Sequence, residues 1–320
     1  MVISELIFGV AFFFQCAIGL VGNSLLLMLY ICISFKKPQQ KKSMDLILAH
    51  LTLANMVTLF TRGIPEILFC FGMRHILDDL WCKALMYIYR ISRGLSVCTT
   101  SLLSMFQALI ISPHSSVWAS IKVRAPKYIL HYFLFFWVTN ALIYIRVIEL
   151  TEATKNDTIS TYRYASHIFV VRSVGDDNEL TAAFIFGMTL HDLIFHFLMG
   201  LSSTHMVLLL YRHSKQVKHI YSNSHSPRSF PEVKATQTIL LLVTCFVLFY
   251  WLNNCITLYE TFHIEKDVEL ETIATFFGGC YPALCPLLLI GSKSRIPKFH
   301  CMHGKAKRPH KDFMDGFISP

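Results

Sequence analysis

Residues Leu6–Phe35 read LIFGVAFFFQCAIGLVGNSLLLMLYICISF, thirty positions without one Asp, Glu, Lys or Arg. A helix that crosses the hydrocarbon core of a bilayer needs about 20 mostly apolar residues, so this stretch alone is long enough to span. The composition agrees. Of 320 residues, 54% are hydrophobic and 15% charged, with a mean hydropathy of +0.49. Soluble domains carry roughly a quarter of their residues as charged groups. Too little charge remains here to solvate a compact body, which excludes a soluble fold, a disordered chain, a coiled coil and a nucleic-acid-binding domain.

Working outward, six more apolar stretches follow, at about 44–71, 82–111, 128–146, 182–211, 235–262 and 272–292. With 6–35 they make seven spans. The expected fold is an all-α membrane protein, a seven-transmembrane helix bundle, with residues 1–320 forming one domain and 293–320 a polar, basic tail. The second and third spans hold internal ionisable residues, so re-entrant segments are the alternative there. Boundaries carry a margin of a few residues.

Orientation follows from the basic residues. Lys36, Lys37, Lys41 and Lys42, then Lys122, Arg124 and Lys127, then Arg212, Lys215, Lys218, Arg228 and Lys234 fall on the same side as the tail. That face holds a net charge of about +16, the other about −8, and the spans +1, together the +9 of the whole chain. Cytoplasmic loops carry the excess of Lys and Arg, so the amino terminus is expected outside and the carboxyl terminus in the cytoplasm. The net charge therefore reads as an orientation code and indicates no polyanionic partner. The apolar run of the first span is far longer than a signal peptide h-region and lacks a positive n-region, so it is expected to remain as an anchor. Asn156-Asp157-Thr158 is a glycosylation sequon in the long outer loop of about 149–181.

Charged side chains near mid-bilayer cost about 2.5–3.5 kcal/mol on insertion scales and face the bundle interior. Arg62 and Glu66 are four apart and can neutralise each other, with Pro65 between them to kink the helix. Arg90 and Arg93 share a face of the third span. With Arg62, Glu66, Asp192 and Glu260 they can line one cavity open to the outside. Two readings stand: an ion-pair network that fixes packing, or an arginine that receives an anionic ligand group through its planar fork.

His191, His196 and His205 on the fifth span, and His300-Cys301-Met302-His303 in the tail, lack any metal-site spacing. Nucleophile motifs, a phosphate loop and paired carboxylates are also missing, so neither an enzyme nor a bound metal or cofactor is expected. Most of the ten cysteines lie within spans, where they read as small buried apolar residues. Seven helices with an outward amino terminus fit a receptor. A transporter commonly shows paired repeat halves with broken helices, and no such pairing is visible.

Strings along the chain decide between these classes. They include Gly22-Asn23-Ser24-Leu25, Asp45-Leu46-Ile47-Leu48-Ala49-His50-Leu51, Leu53-Ala54-Asn55 and Gly63-Ile64-Pro65. The third span gives Cys82-Lys83, Arg90-Ile91-Ser92-Arg93-Gly94-Leu95-Ser96 and Leu103-Ser104-Met105-Phe106-Gln107-Ala108. Lys122-Val123-Arg124-Ala125-Pro126-Lys127-Tyr128, His191-Asp192, Leu210-Tyr211-Arg212-His213 and Ser226-Pro227-Arg228-Ser229 follow. Over about residues 20–295 the chain resembles the vomeronasal type 1 pheromone receptors. The resemblance implies a multi-pass plasma-membrane receptor that binds small pheromones within the bundle and couples to an inhibitory-class heterotrimeric G protein. Like that family, the chain has no acidic-Arg-aromatic motif after the third span and no Asn-Pro-x-x-Tyr in the seventh.

One departure stands out. Family members usually carry Tyr-Cys-Ser in the second outer loop, bridged to the cysteine that opens the third span. Here the string is Tyr164-Ala165-Ser166. Cys70 substitutes as partner, Cys82 stays a reduced thiol, or the receptor is impaired; the reduced thiol is the favoured expectation. The expected ligand contacts are Tyr87, Arg90, Arg93, His191, Asp192, Trp251, Tyr259 and Glu260, in the outer halves of spans three, five, six and seven. The expected G-protein contacts are Lys122, Arg124, Arg212, Lys215 and Lys218, for which topology and anionic lipid are the plainer explanation.

Overall fold

The computed structural model describes residues 3–36, 42–73, 78–112, 117–153, 162–165, 169–172, 178–220, 231–262 and 268–291. Its helices are α1 (Ile3–Lys36), α2 (Lys42–Thr58), α3 (Ile64–Cys70), α4 (Asp79–Ile111), α5 (Val117–Arg124), α6 (Ile129–Tyr144), α7 (Val147–Leu150), α8 (Asn178–Ile220), α9 (Pro231–Phe262) and α10 (Val268–Gly291). Seven stretches are long and apolar enough to cross a membrane: Glu5–Cys32, Ser43–Cys70, Asp79–Ile111, Ser120–Glu149, Phe186–Arg212, Thr236–Ile256 and Glu269–Gly291. They coincide with the seven expected spans. Large apolar side chains such as Phe14, Val21, Leu134, Phe197 and Leu248 are exposed along them, as lipid-facing surfaces require.

The second span is α2 and α3 joined by a π-helical turn, Leu59–Gly63. Pro65 has no N–H to donate, so the regular ladder cannot run through it. The extra residue is absorbed one turn earlier, and the span continues to Cys70. Gly72, at φ 89°, then ends it, with its own N–H and that of Met73 returning to Phe69 O and Leu68 O.

The bundle is organised around α4, which packs on α2, α6, α8 and α9. In its apolar window 78% of residues are buried, against 28% in α1, so α4 is the central helix. Small hydroxyl residues let its neighbours approach and then bond them, as packing in lipid favours. Thr58 donates to Ser92 at 3.0 Å, Ser96 donates to Asn55 at 2.9 Å, Thr99 meets His50 at 2.9 Å, Thr100 meets Tyr281 at 3.0 Å and Ser104 meets Ser202 at 2.7 Å. Interhelical bonds of this kind contribute roughly 0.6 kcal/mol each on average. Their number matters more than any single one.

Asn23 shows the same logic on α1. Pro286 removes the N–H that would reach Pro282 O in α10, and Asn23 Nδ2 donates to that carbonyl at 2.9 Å. Gly22 lets the two helices come this close, since a Cβ there would meet Pro286 at 2.8 Å.

Between the fourth and fifth spans, where the sequence suggested only a loop, lie β1 (Thr151–Ala153), β2 (Tyr162–Ala165) and β3 (Phe169–Arg172). They form an antiparallel sheet in the order β1-β3-β2. Phe169-Val170-Val171 is a run of residues that fit a pleated surface, and it supplies the central strand. β1 packs against α4 and β2 against α9. Asn156 lies outside the described residues.

Candidate functional site

One i, i+3/i+4, i+7 stripe from each of α4, α9 and α10 faces a common space. Met86, Tyr89, Arg90 and Arg93 come from α4, Asn253 and Asn254 from α9, and Glu271, Ala274 and Thr275 from α10. Together with Arg62 of the π-helical turn they line a cavity toward the end of the bundle that carries the start of α1. Below it lies a more apolar chamber, walled by Phe246, Phe249, Tyr250, Phe277 and Tyr281. A third, smaller space extends toward Phe12 and Gln15 of α1. The cavity and deep chamber share Arg93 and Asn253. An apolar chamber beside a few placed polar groups is the lining expected of a small-molecule site.

Two ionic groups hold its upper part. Arg62 contacts Glu66 Oε1 at 3.2 Å and Glu271 Oε1 at 2.7 Å, and donates to Thr275 Oγ1 at 2.7 Å. Its guanidinium also lies 5.9 Å from the Tyr89 ring centre. The Arg62–Glu66 pairing agrees with the sequence reading, whereas Glu271 of α10, which that reading did not pair with Arg62, is the closer partner. Arg93 donates to Asn254 Oδ1 at 3.2 Å and lies over the Tyr250 ring at 4.8 Å. With the Asn253 amide turned so that its nitrogen donates to Ala274 O, its oxygen accepts from Arg93 at 2.8 and 3.1 Å. Tyr250 Oη in turn donates to Asp192, and His191 Nδ1 lies 3.2 Å from the other Asp192 oxygen. Arg90 differs from both. It lines the cavity half-buried, and its Nε is buried without a hydrogen-bond partner among the described residues.

Of the eight expected ligand contacts, Arg90 and Arg93 thus line the cavity. Asp192 stands behind Tyr250, and His191 lies between Asp192 and Cys98 Sγ, 3.7 Å away. Tyr87 donates to Ala141 O at 3.0 Å and ties α4 to α6. Trp251 and Tyr259 are more than half exposed on the outside of α9. The Glu260 side chain lies outside the described residues. The sequence reading placed Arg62 at the cavity but missed the aromatic wall of Phe246, Phe249 and Phe277. The stripe 246, 249/250, 253 on α9 repeats the 86, 89/90, 93 stripe on α4, and that shared period was the signal available for finding it.

At the opposite end, Lys122 Nζ donates to Ile110 O at 3.0 Å and to Ser112 O. It satisfies carbonyls left open where α4 stops. Arg124 and Arg212 are exposed. Lys215 and Lys218 lie on α8, their side chains outside the described residues. None of the nine cysteines among the described residues is in a disulfide, Cys70 and Cys82 included, and no group of three or more metal-ligating side chains occurs among those residues.

Seven apolar spans, the third buried among the other six, with a cavity held between them by paired charges, define a multi-pass seven-helix receptor of the plasma membrane. The family model for the vomeronasal organ pheromone receptor family matches residues 6–302, and the chain belongs to that family. It is 34% identical over 295 residues to vomeronasal type-1 receptor 1 of Homo sapiens, covering 91% of this chain and 81% of the relative. Vomeronasal type-1 receptor 90 of Rattus norvegicus is 34% identical over 294 residues, 90% of this chain and 91% of its own. Olfactory receptor class A-like protein 1 of Danio rerio is 31% identical over 306 residues, 95% of each chain. Membership in a receptor family makes the chain a receptor and not an enzyme.

Proposed function

We propose that the chain is a G-protein-coupled pheromone receptor. Its amino terminus faces outward, and residues 1–320 act as one receptor domain. A small ligand enters from that side and occupies the cavity of α4, α9 and α10. The observation that carries this reading is the cavity itself, which sits at the α1-start end of the bundle, the end that the basic residues assign to the outside. Binding shifts a pre-existing equilibrium between inactive and active bundles by as much as its differential affinity for the two. A heterotrimeric G protein of the inhibitory class then engages the opposite face, where Arg124 and Arg212 are exposed.

Within the cavity, Arg93 is already held by Asn254 and Tyr250, so Arg90 is the cation offered to an anionic ligand group. The outer sheet lies against α4 and α9, two of the helices that line the cavity, and so is placed to cover it. Ala165 on β2 carries no thiol for a bridge to Cys82, and this supports a second reading as a signalling-impaired receptor. A ligand screen in cells that report inhibitory G-protein activation tests both. A ligand-dependent response supports the receptor reading. Ligand binding without nucleotide exchange supports impairment, and substrate flux in place of exchange would indicate a transporter.

A further inference from the structure

Tyr250 stands between a cation and a carboxylate, and we infer that Asp192 of the fifth span is a positioning residue for Arg93, acting through Tyr250 without lining the cavity itself. Its bearing on ligands rests on the reading that ligand occupies this cavity, whereas the placement of Arg93 does not. Of the described residues that line the three spaces, none comes from α8. Direct packing of α8 on α9 is slight, since α8 lies chiefly on α4 and α9 on α10. The hydrogen bond from Tyr250 Oη to Asp192 crosses that thin contact.

A carboxylate that accepts the phenol hydrogen bond draws the proton toward itself and leaves the ring face richer in electrons, since linked hydrogen bonds polarise one another. Arg93 lies over that face at 4.8 Å, where the electron density of the ring sets the strength of a cation–π contact. Asp192 is itself held from behind. His191 Nδ1 lies 3.2 Å from Asp192 Oδ1, and His191 Nε2 lies 3.7 Å from Cys98 Sγ on α4. His196 Nδ1 donates to the Asp192 backbone carbonyl at 2.6 Å, and its ring lies 4.2 Å from that of Tyr250. The fifth span thus fixes Tyr250 both at its hydroxyl and on its ring. Arg93 keeps Asn254 as a partner at 3.2 Å, so a weaker Tyr250 contact loosens the guanidinium without removing it from the cavity wall. Arg90 lines the same cavity and is no part of this chain of contacts, which makes it an internal reference.

The test is the rate at which phenylglyoxal, an arginine-specific reagent, modifies each arginine of the full chain in lipid nanodiscs, read by peptide mass spectrometry. Tyr250→Phe removes the hydroxyl and keeps the ring, and Arg93 is expected to react roughly twofold or more faster in it than in wild type, the scale of a weakened cation–π contact. Asp192→Leu is expected to match Tyr250→Phe, and the double variant to add nothing further. Asp192→Asn keeps an acceptor oxygen and is expected to fall between wild type and Asp192→Leu. Arg90 is expected to keep one rate throughout. If Asp192→Leu does not fold, Asp192→Asn and Tyr250→Phe supply the same comparison. An Arg93 rate unchanged in Tyr250→Phe, or additive in the double variant, would overturn the positioning role and leave the cavity reading intact. An equal rise at Arg90 would also overturn it, because that reports a general loosening of the bundle. The cavity reading fails on a different observation, a ligand screen without response, which leaves these rates as they are.

Discussion

Arg62 reaches Glu271 across 2.7 Å while holding Glu66, one turn along its own span, at 3.2 Å. One buried cation thus serves two carboxylates and ties the second span to the seventh. Removing the cation takes the same charge partner from both acids, whereas neutralising Glu271 leaves Arg62 with Glu66. Arg62→Met is expected to cost about 3–5 kcal/mol, the range for breaking a buried pair. Glu271→Gln is expected to cost only about 1–3 kcal/mol, the range for a lost hydrogen bond to a charged group. Thermal unfolding of the purified receptor compares them, and equal losses would contradict a shared cation.

Much of the bundle was legible because lipid imposes a length rule that aqueous folds lack. A charge-free run such as Leu6–Phe35 leaves little alternative to a span. The Arg62–Glu66 pair was legible too, because four-residue spacing is a local property of helices. Its stronger partner Glu271 was not, since that contact depends on how α10 packs 209 residues away. Nor did the sequence show that Trp251 faces outward while Tyr250 faces in. Adjacent aromatic residues point about 100° apart on a helix, and the span is apolar all round, so composition cannot tell the lipid face from the cavity face. The outer sheet was missed for a related reason: strands of three or four residues give too short a pattern to separate from loop.

Lys122 and Arg124 are two residues apart, yet they do different work. Lys122 caps α4 through Ile110 O and Ser112 O, while Arg124 is exposed. Lys122→Ala is therefore expected to lower stability by roughly 0.3–1 kcal/mol, as for a cation at a helix carboxyl end. Arg124→Ala should leave stability unchanged and weaken G-protein coupling. Unfolding and nucleotide-exchange measurements on both variants check this, and a stability loss confined to Arg124→Ala would reverse the assignment.

Cys82 and Cys70 are both buried and neither is in a disulfide. Peptide mapping under non-reducing conditions should recover each as a reduced thiol. Recovery of a Cys70–Cys82 peptide pair would refute that expectation. It would also give the outer end a bridge of the kind typically worth about 2–4 kcal/mol.

Arg90 and Arg93 separate the two roles open to cavity arginines. Arg90→Lys keeps the charge but loses the two-pronged fork, so it should weaken responses to anionic ligands more than to neutral ones. Arg93→Lys disturbs the contacts to Asn254 and Tyr250 and should weaken both alike. Dose-response curves at matched surface expression make the comparison. Equal loss for both ligand types in Arg90→Lys would remove the anion-receiving role.

The central claim is that a small ligand in the bundle cavity drives a G protein at the far face. Guanine-nucleotide exchange on an inhibitory-class heterotrimer, measured with the purified receptor in nanodiscs, tests it most directly. A small ligand that binds the wild-type chain is expected to accelerate exchange, and Arg90→Lys to shift the dose response without lowering the amount of folded receptor. Binding of that ligand with no change in exchange, or transport of it across a sealed vesicle with none, would contradict the claim.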